Sequence, residues 1–235
     1  MPAPIKLYQL VIANGLAISP YVWRIRYALA HKGLAVEAVP LGFAGIAGAA
    51  GGGFKTVPII QDGARAVGDS WAIADYLDET YPERPLFGGP GERALAAFFD
   101  HWFLGQVMRR MFGLYVLDIH DQAAPEDQPY FRQTREARLR GATLEAFVAG
   151  REARLPELRE ALQPLRMTLA DRPWLGGEAP NYADYVLVGG FLWLAGVATM
   201  PPLAAGDPLL AWLDRARDLY DGLGRDPRQH PLAEV

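Results

Sequence analysis

Residues 56 to 70 read Thr-Val-Pro-Ile-Ile-Gln-Asp-Gly-Ala-Arg-Ala-Val-Gly-Asp-Ser, a proline heading an apolar run that closes on a carboxylate and a hydroxyl. Proline has no N–H to give a ladder, so Pro58 marks an edge, a bulge or a cis turn rather than a central strand position. A chain turned there leaves the N–H and C=O of Val57 facing outward, able to pair with an extended, peptide-like ligand as an added strand would. Asp69-Ser70 precede Trp71 to Leu77, whose apolar positions Ile73, Tyr76 and Leu77 follow helical spacing, and Ser70 is placed as the N-cap. Free N–H groups and the positive end of the dipole suit such a helix start to a carboxylate. The same residues also read as a proline-terminated strand followed by an ordinary capped helix.

Ser19-Pro20 forms a second helix start, with serine suited to the N-cap and proline to the first helical position. The chain has no cysteine, which removes disulfides, thiolate metal sites and a cysteine nucleophile together. Any thiol chemistry must use a borrowed thiol. His31, His101, His120 and His230 show no metal-ligand spacing, so no metal site is expected. Phe98, Phe99, Trp102, Phe103, Met108, Met111, Phe112 and Tyr115 crowd one helical stretch. Part of that set suits a core, and part suits the wall of an apolar pocket.

The elements that must position these groups follow from the pattern. Ile5 to Leu10 reads as a strand, Ser19-Pro20 opens a helix that stops at Lys32-Gly33, and Leu34 to Leu41 reads as a second strand. Gly42 to Gly53 is poor in anchors and reads as a mobile loop with a weak helix. Gln61-Asp62-Gly63 is a hairpin turn with Ala64 to Val67 returning. The resulting order, β-α-β-loop-β-β-α, is a compact α/β unit with a mixed sheet. Pro82 to Gly91 is breaker-rich, which divides the chain into a unit at 1–82, a linker at 83–90 and an all-α unit at 91–235. Helices are placed near 91–120, 128–150, 155–171, 181–199 and 208–221.

The 235 residues, half of them hydrophobic, can build proper cores, and a formal net charge of −4 without an aromatic-interleaved basic cluster argues against a nucleic-acid surface. The charge run from Arg132 to Arg140 reads as a solvated helix face. No apolar stretch reaches the roughly 18 residues of a membrane span. The N-terminal run, broken by Gln9, Asn14 and Gly15, reads as mature protein rather than a signal peptide.

Ser19-Pro20-Tyr21-Val22 resembles the Cys-Pro-Tyr-Cys helix start of thioredoxin-like proteins with both cysteines replaced. Together with Val57-Pro58, Asp69-Ser70, the linker and the helical second half, the chain resembles the cytosolic glutathione S-transferases over essentially its whole length. Asn181-Tyr-Ala-Asp184 is similar to the capping box that starts a core helix in that family's second domain, with Asn in place of Ser or Thr. Ile18 to Arg24, Asp69 to Asp78, Trp212 to Arg215 and Leu219 to Gly224 resemble the bacterial LigE-type β-etherases, which use glutathione to cleave β-aryl ethers of lignin-derived dimers. The pattern extends to related fungal-type transferases with no ether-cleaving role.

The resemblance implies a thioredoxin-like domain with a mixed four-stranded sheet plus an all-α C-terminal domain, with glutathione as co-substrate. It implies that Ser19 contacts the thiolate, with the alternative that the hydroxyl only caps the helix and backbone N–H groups do that work. Val57, beside Pro58, would pair with the cysteinyl part, Asp69 and Ser70 would hold the γ-glutamyl end, and Lys55 or Thr56 would meet the glycyl carboxylate. Tyr21 joins the glutathione-contacting set. Trp102, Met108, Met111, Phe112 and Tyr115 would line the pocket for a hydrophobic aromatic electrophile. A cytoplasmic homodimer is implied. The alternatives are a non-catalytic carrier of aromatic ligands, or a glutathione-dependent isomerase or dehalogenase.

Overall fold

The structure is a computed structural model and describes residues 3–234. Four strands, β1 (Ile5–Leu10), β2 (Val36–Leu41), β3 (Ile59–Asp62) and β4 (Arg65–Gly68), form one mixed sheet in the order β2-β1-β3-β4. β1 and β2 run parallel, joined through helix α1 (Pro20–Lys32), while β3 is antiparallel to both β1 and β4. Parallel neighbours need such a crossover, whereas β3 and β4 need only their tight turn. Ile5, Leu7, Ile59 and Ile60 point into the core. β2 lies at the edge, where Pro40 leaves no central ladder position unfilled.

α1 stops at Gly33, whose φ of 69° lets its N–H return to the carbonyls of Leu29 and Ala30. Gly42 to Gly53, expected as a loop with a weak helix, holds a 3₁₀ segment, Phe43–Gly51, that breaks at Ala49 and Ala50. Helix α2 (Ser70–Thr80) follows the hairpin. From Tyr81 to Gly89 the chain has neither helix nor strand, and it is tied down from the sheet side. Lys32 Nζ lies 2.5 Å from Asp78 Oδ1 and donates to the Tyr81 carbonyl, while the Asp78 carboxylate accepts from the N–H groups of Leu86 and Phe87.

The remainder is helical: α3 (Pro90–Trp102), α4 (Arg109–Gln122), α5 (Gln128–Arg138), α6 (Leu144–Val148), α7 (Leu155–Ala161), α8 (Gln163–Thr168), α9 (Tyr182–Val197) and α10 (Leu209–Gly222). Three of the expected helices are interrupted. A π-helical segment, Phe103–Met108, separates α3 from α4, the expected 128–150 helix breaks at residues 139–143, and the expected 155–171 helix divides at Leu162. α9 is buried along its whole length and forms the centre of this half. Its start carries the expected capping box, and Asp184 also accepts from the N–H groups of Leu175 and Gly176 and from Trp212 Nε1. Burial raises the Asp184 pKa, and those donors oppose the rise without reversing it. Among the described residues no helix is long and apolar enough to cross a membrane.

Candidate functional site

Register brings the three sequence signals to one end of the sheet. Tyr8 of β1 faces Ile59 of β3, and Ile59 faces Gly68 of β4. Pro58, Gln9 and Asp69 are the next residues of their chains beyond those pairs, at the same end of the sheet. The Ile18 N–H donates to the Leu10 carbonyl at 3.1 Å, which ties Ser19 to the same end of β1. Three segments far apart in sequence therefore converge, two through neighbouring strands and one through a backbone hydrogen bond to β1.

Ser19 is buried and caps α1: its Oγ accepts from the Val22 N–H at 3.3 Å. That bond uses a lone pair and leaves the O–H available to donate. The Val57-Pro58 peptide bond is cis, both residues are buried, and among the described residues the Val57 main chain makes no backbone hydrogen bond. Lys55 and Thr56 are exposed just before it.

The second helix start differs from expectation. Asp69, not Ser70, is the N-cap of α2, with Oδ1 accepting from Trp71 N at 2.9 Å and Ala72 N at 3.1 Å. Its φ of 74° lies in the left-handed region that Asp tolerates better than most residues, and strained backbone of this kind concentrates at binding sites. Oδ2 of this exposed residue makes no hydrogen bond among the described residues. Ser70 is instead the first helical residue and is buried, its N–H lacking an intrahelical acceptor by position. Its carbonyl accepts from Tyr182 Oη at 2.8 Å, so α9 fixes the start of α2.

One carboxylate of the helical half joins the two helix starts. Asp100 Oδ2 on α3 accepts from Arg24 Nη1 at 3.0 Å and from Trp71 Nε1 at 2.6 Å, and both ions are buried. The Arg24 guanidinium lies 4.7 Å from the centroid of the Tyr21 ring. Burial pushes the Tyr21 hydroxyl pKa up, opposed by Arg24 and reinforced by Asp100 and Asp69, so Tyr21 stays a hydrogen-bond donor. Asp100 had no signal in the sequence beyond being an acid inside an aromatic run.

α9 sets how closely the two halves meet. A Cβ added to Gly189 would overlap the Pro20 carbonyl oxygen, and one at Gly196, two turns on, would lie 3.1 Å from Ile18 Cγ2. Both glycines let the segment Ile18–Pro20 rest directly on the α9 backbone.

Among the described residues the site thus offers a hydroxyl donor at a helix start, a residue before β3 whose main chain is unpaired, and a carboxylate oxygen beside the free Ser70 N–H. Comparison with known proteins is consistent with that inventory. Residues 15–85 match the glutathione S-transferase N-terminal domain and residues 94–201 the glutathione S-transferase C-terminal domain. The chain belongs to the glutathione S-transferase family. A glutathione S-transferase of Ceriporiopsis subvermispora, solved in complex with glutathione, superposes with a TM-score of 0.81 at 25% identity over 96% of this chain and 99% of that one. Glutathione transferase GSTFuA3 of Phanerochaete chrysosporium superposes with a TM-score of 0.74 at 29% identity, over 83% of this chain and 86% of that one. The glutathione S-transferase-like protein ustS of Aspergillus flavus is 31% identical over 139 residues, 54% of this chain and 50% of that protein. The chain therefore matches about half the length of that relative.

In this glutathione S-transferase chain the five residues expected to line a substrate pocket fall into three environments. Met111 and Tyr115 are fully buried in the helical core. Among the described residues the Tyr115 hydroxyl has no partner, and its burial, reinforced by Asp118, raises its pKa. Trp102 lines a hollow of about 480 Å³ with Leu95, Phe98, Phe99, Pro164 and Leu175, which none of Ser19, Val57, Asp69 or Ser70 reaches. Met108 and Phe112 are half-buried. Met108 Sδ would lie 3.3 Å from a Cβ on Gly190, the neighbour of the glycine that meets Pro20.

Proposed function

We propose that this chain is a two-domain glutathione transferase, divided at 1–82 and 91–235 with a linker at 83–90, which attacks hydrophobic aromatic electrophiles with glutathione thiolate. The observation that carries the reading is the convergence of Ser19, Val57-cis-Pro58 and Asp69-Ser70 at one sheet end. The thiol of free cysteine has a pKa near 8.5, so little is ionised at neutral pH, and lowering it by about two units takes roughly 2.7 kcal/mol of preferential anion stabilisation. The Ser19 O–H and the Tyr21 N–H, the first N–H of α1, supply donors for that anion, since Pro20 has no N–H and those of Val22 and Trp23 are taken by Ser19. Val57 pairs with the cysteinyl main chain, Asp69 Oδ2 takes the ammonium, the start of α2 at Ser70 takes the γ-glutamyl carboxylate, and Lys55 or Thr56 meets the glycyl end. Tyr21, held by Arg24, adds a donor.

In the reaction the thiol proton leaves to solvent, sulfur forms a bond to an activated carbon, and the leaving group departs with its electron pair. We assign β-aryl ether cleavage as the specific case, with carbon bearing an adjacent ketone and a phenolate leaving. Its support is the similarity of residues 18–24 and 69–78 to the β-etherases and the likeness to fungal transferases. We also propose that it acts in the cytoplasm as a homodimer, the latter checked by light scattering. The deciding experiment supplies glutathione with an α-keto β-aryl ether dimer and, in parallel, 1-chloro-2,4-dinitrobenzene. Phenol release with a matching thioether supports the etherase assignment. Conjugation of the halide without phenol release removes that assignment and leaves the transferase, and absence of both removes the transferase.

A further inference from the structure

A buried acid of the helical half grips the loop that leads to Val57. Asp127 is 2% exposed and stands at the N-cap position of α5, where an aspartate ordinarily accepts from its own helix. It makes no such bond. Its Oδ1 crosses to the sheet half and accepts from the Ala44 N–H at 3.1 Å, in the first turn of the 3₁₀ segment, whose own N-cap, Gly42, has no side chain to offer. Gly42 is in contact as well, since a Cβ there would overlap the Asp127 carboxylate. Phe43 packs edge-on against Phe131 of α5 at 5.0 Å, and the Arg135 guanidinium lies 4.6 Å from the Phe131 ring centroid and 5.5 Å from that of Phe43.

The far end of the same loop is also fixed. Ala50, Gly51, Gly52 and Gly53 have φ values of 51°, 90°, 96° and 88°, a run that nothing but the backbone directs, and Gly51 and Gly53 have open space around them. Phe54 then seats its ring on Gly68, where a Cβ would lie 2.6 Å from Phe54 Cδ1. Residues 42–54 thus form a strap anchored at Asp127 and at Gly68, with a glycine run between, and Lys55 and Thr56 follow at once.

We propose that Asp127 is a positioning residue for the glycyl end of glutathione, acting from the helical half through Ala44 and the strap on Lys55 and Thr56. The proposal rests on the glutathione-binding reading above. It requires that releasing the strap weaken contacts to the glycyl residue and spare those made by Val57, Asp69 and Ser70. A general structural role would not discriminate between the two ends of the tripeptide.

The test is calorimetric titration of wild type, Asp127→Ala, which removes the acceptor, and Gly42→Ala with glutathione and with γ-glutamylcysteine, which lacks the glycyl residue. Gly42 has φ of −81°, so alanine is tolerated by its backbone and acts only as a wedge against the carboxylate. Both variants are expected to bind glutathione about tenfold more weakly and γ-glutamylcysteine within about twofold of wild type. If Asp127→Ala does not fold, Gly42→Ala carries the test alone. Equal weakening toward both peptides, or unchanged affinity for both, overturns the proposal. Wild type that binds neither peptide overturns the glutathione reading itself, which is a separate result.

Discussion

The sheet half and the helical half carry their candidate residues in different ways. In the sheet half, Ser19, Val57 and Asp69 are placed by backbone: a helix cap tied to β1, the residue that leads into β3 through Pro58, and a second cap that follows β4. In the helical half, the candidates are placed by the phase of one long helical path, and the π-helical segment at Phe103–Met108 interrupts that phase. One extra residue in a helical turn rotates everything after it by about 100°. A face that holds Trp102 before the segment is therefore not continued by a simple count through Met108, Met111, Phe112 and Tyr115. A binding site made of main-chain features tolerates being read locally, and one made of side-chain faces does not.

That contrast predicts that substitutions in the helical core change stability without touching glutathione binding, and that those at the sheet end do the reverse. Met111→Ala should destabilise by about 2–5 kcal/mol, as removal of a buried large side chain does. Urea unfolding measures it, and the folded fraction should keep wild-type glutathione affinity. Unchanged stability with a raised KM for the electrophile would instead put Met111 on the cleft wall. Asp69→Asn keeps a side chain that caps well and tolerates left-handed backbone, so unfolding should be nearly unaffected. Loss of its charge should weaken glutathione by about 10- to 100-fold, equivalent to about 1.5–3 kcal/mol, readable by calorimetry.

Gly189→Ala tests the boundary between the halves and should affect both properties. The added Cβ meets the Pro20 carbonyl, for which overpacking costs about 1–3 kcal/mol, and relief requires moving the chain that carries Ser19. Retained stability with wild-type kcat/KM would show that α9 does not position that segment. Tyr115→Phe removes a buried hydroxyl without a partner and should stabilise by about 1 kcal/mol, with turnover unchanged. A loss of turnover would return Tyr115 to the substrate pocket.

The smallest effect concerns pH. His31 Nδ1 lies 2.6 Å from Tyr185 Oη, itself 2.5 Å from Tyr220 Oη, where α1, α9 and α10 meet. Burial, then the neighbouring Lys32, depresses the His31 pKa, against smaller opposing contributions from the Arg84 and Pro85 backbone and from Asp78. The unfolded chain therefore binds the proton more readily. This contribution to stability is present above the ordinary value of 6.5 and is lost as pH falls below it. Urea midpoints taken from about pH 8 to about pH 5 should fall for wild type and fall less for His31→Phe.

Local chemistry made β1, α1, the hairpin and the Asn181-Asp184 capping box legible in the sequence, because each depends on residues within a few positions of one another. The cap of α2 was misassigned by one residue, since Asp69 takes a positive φ that hydroxyl-cap reasoning does not anticipate. Asp100 and Asp127 were not legible at all. Their partners Arg24 and Ala44 are 76 and 83 residues away, and no periodicity announces a single acid that faces another half of the molecule. The breaks after α5 and within the expected 155–171 helix were hidden for a related reason: their apolar spacing continues across turns that tertiary packing interrupts.

The proposed function depends on stabilisation of a glutathione thiolate at the sheet end. Ultraviolet absorbance of the thiolate, followed against pH for glutathione bound to wild type and to Ser19→Ala, tests it most directly. The predicted result is a bound thiol in wild type titrating about two units below the free value near 8.5, with part of that shift lost when the Ser19 hydroxyl is removed. A wild-type bound thiol that titrates at the free value would contradict it.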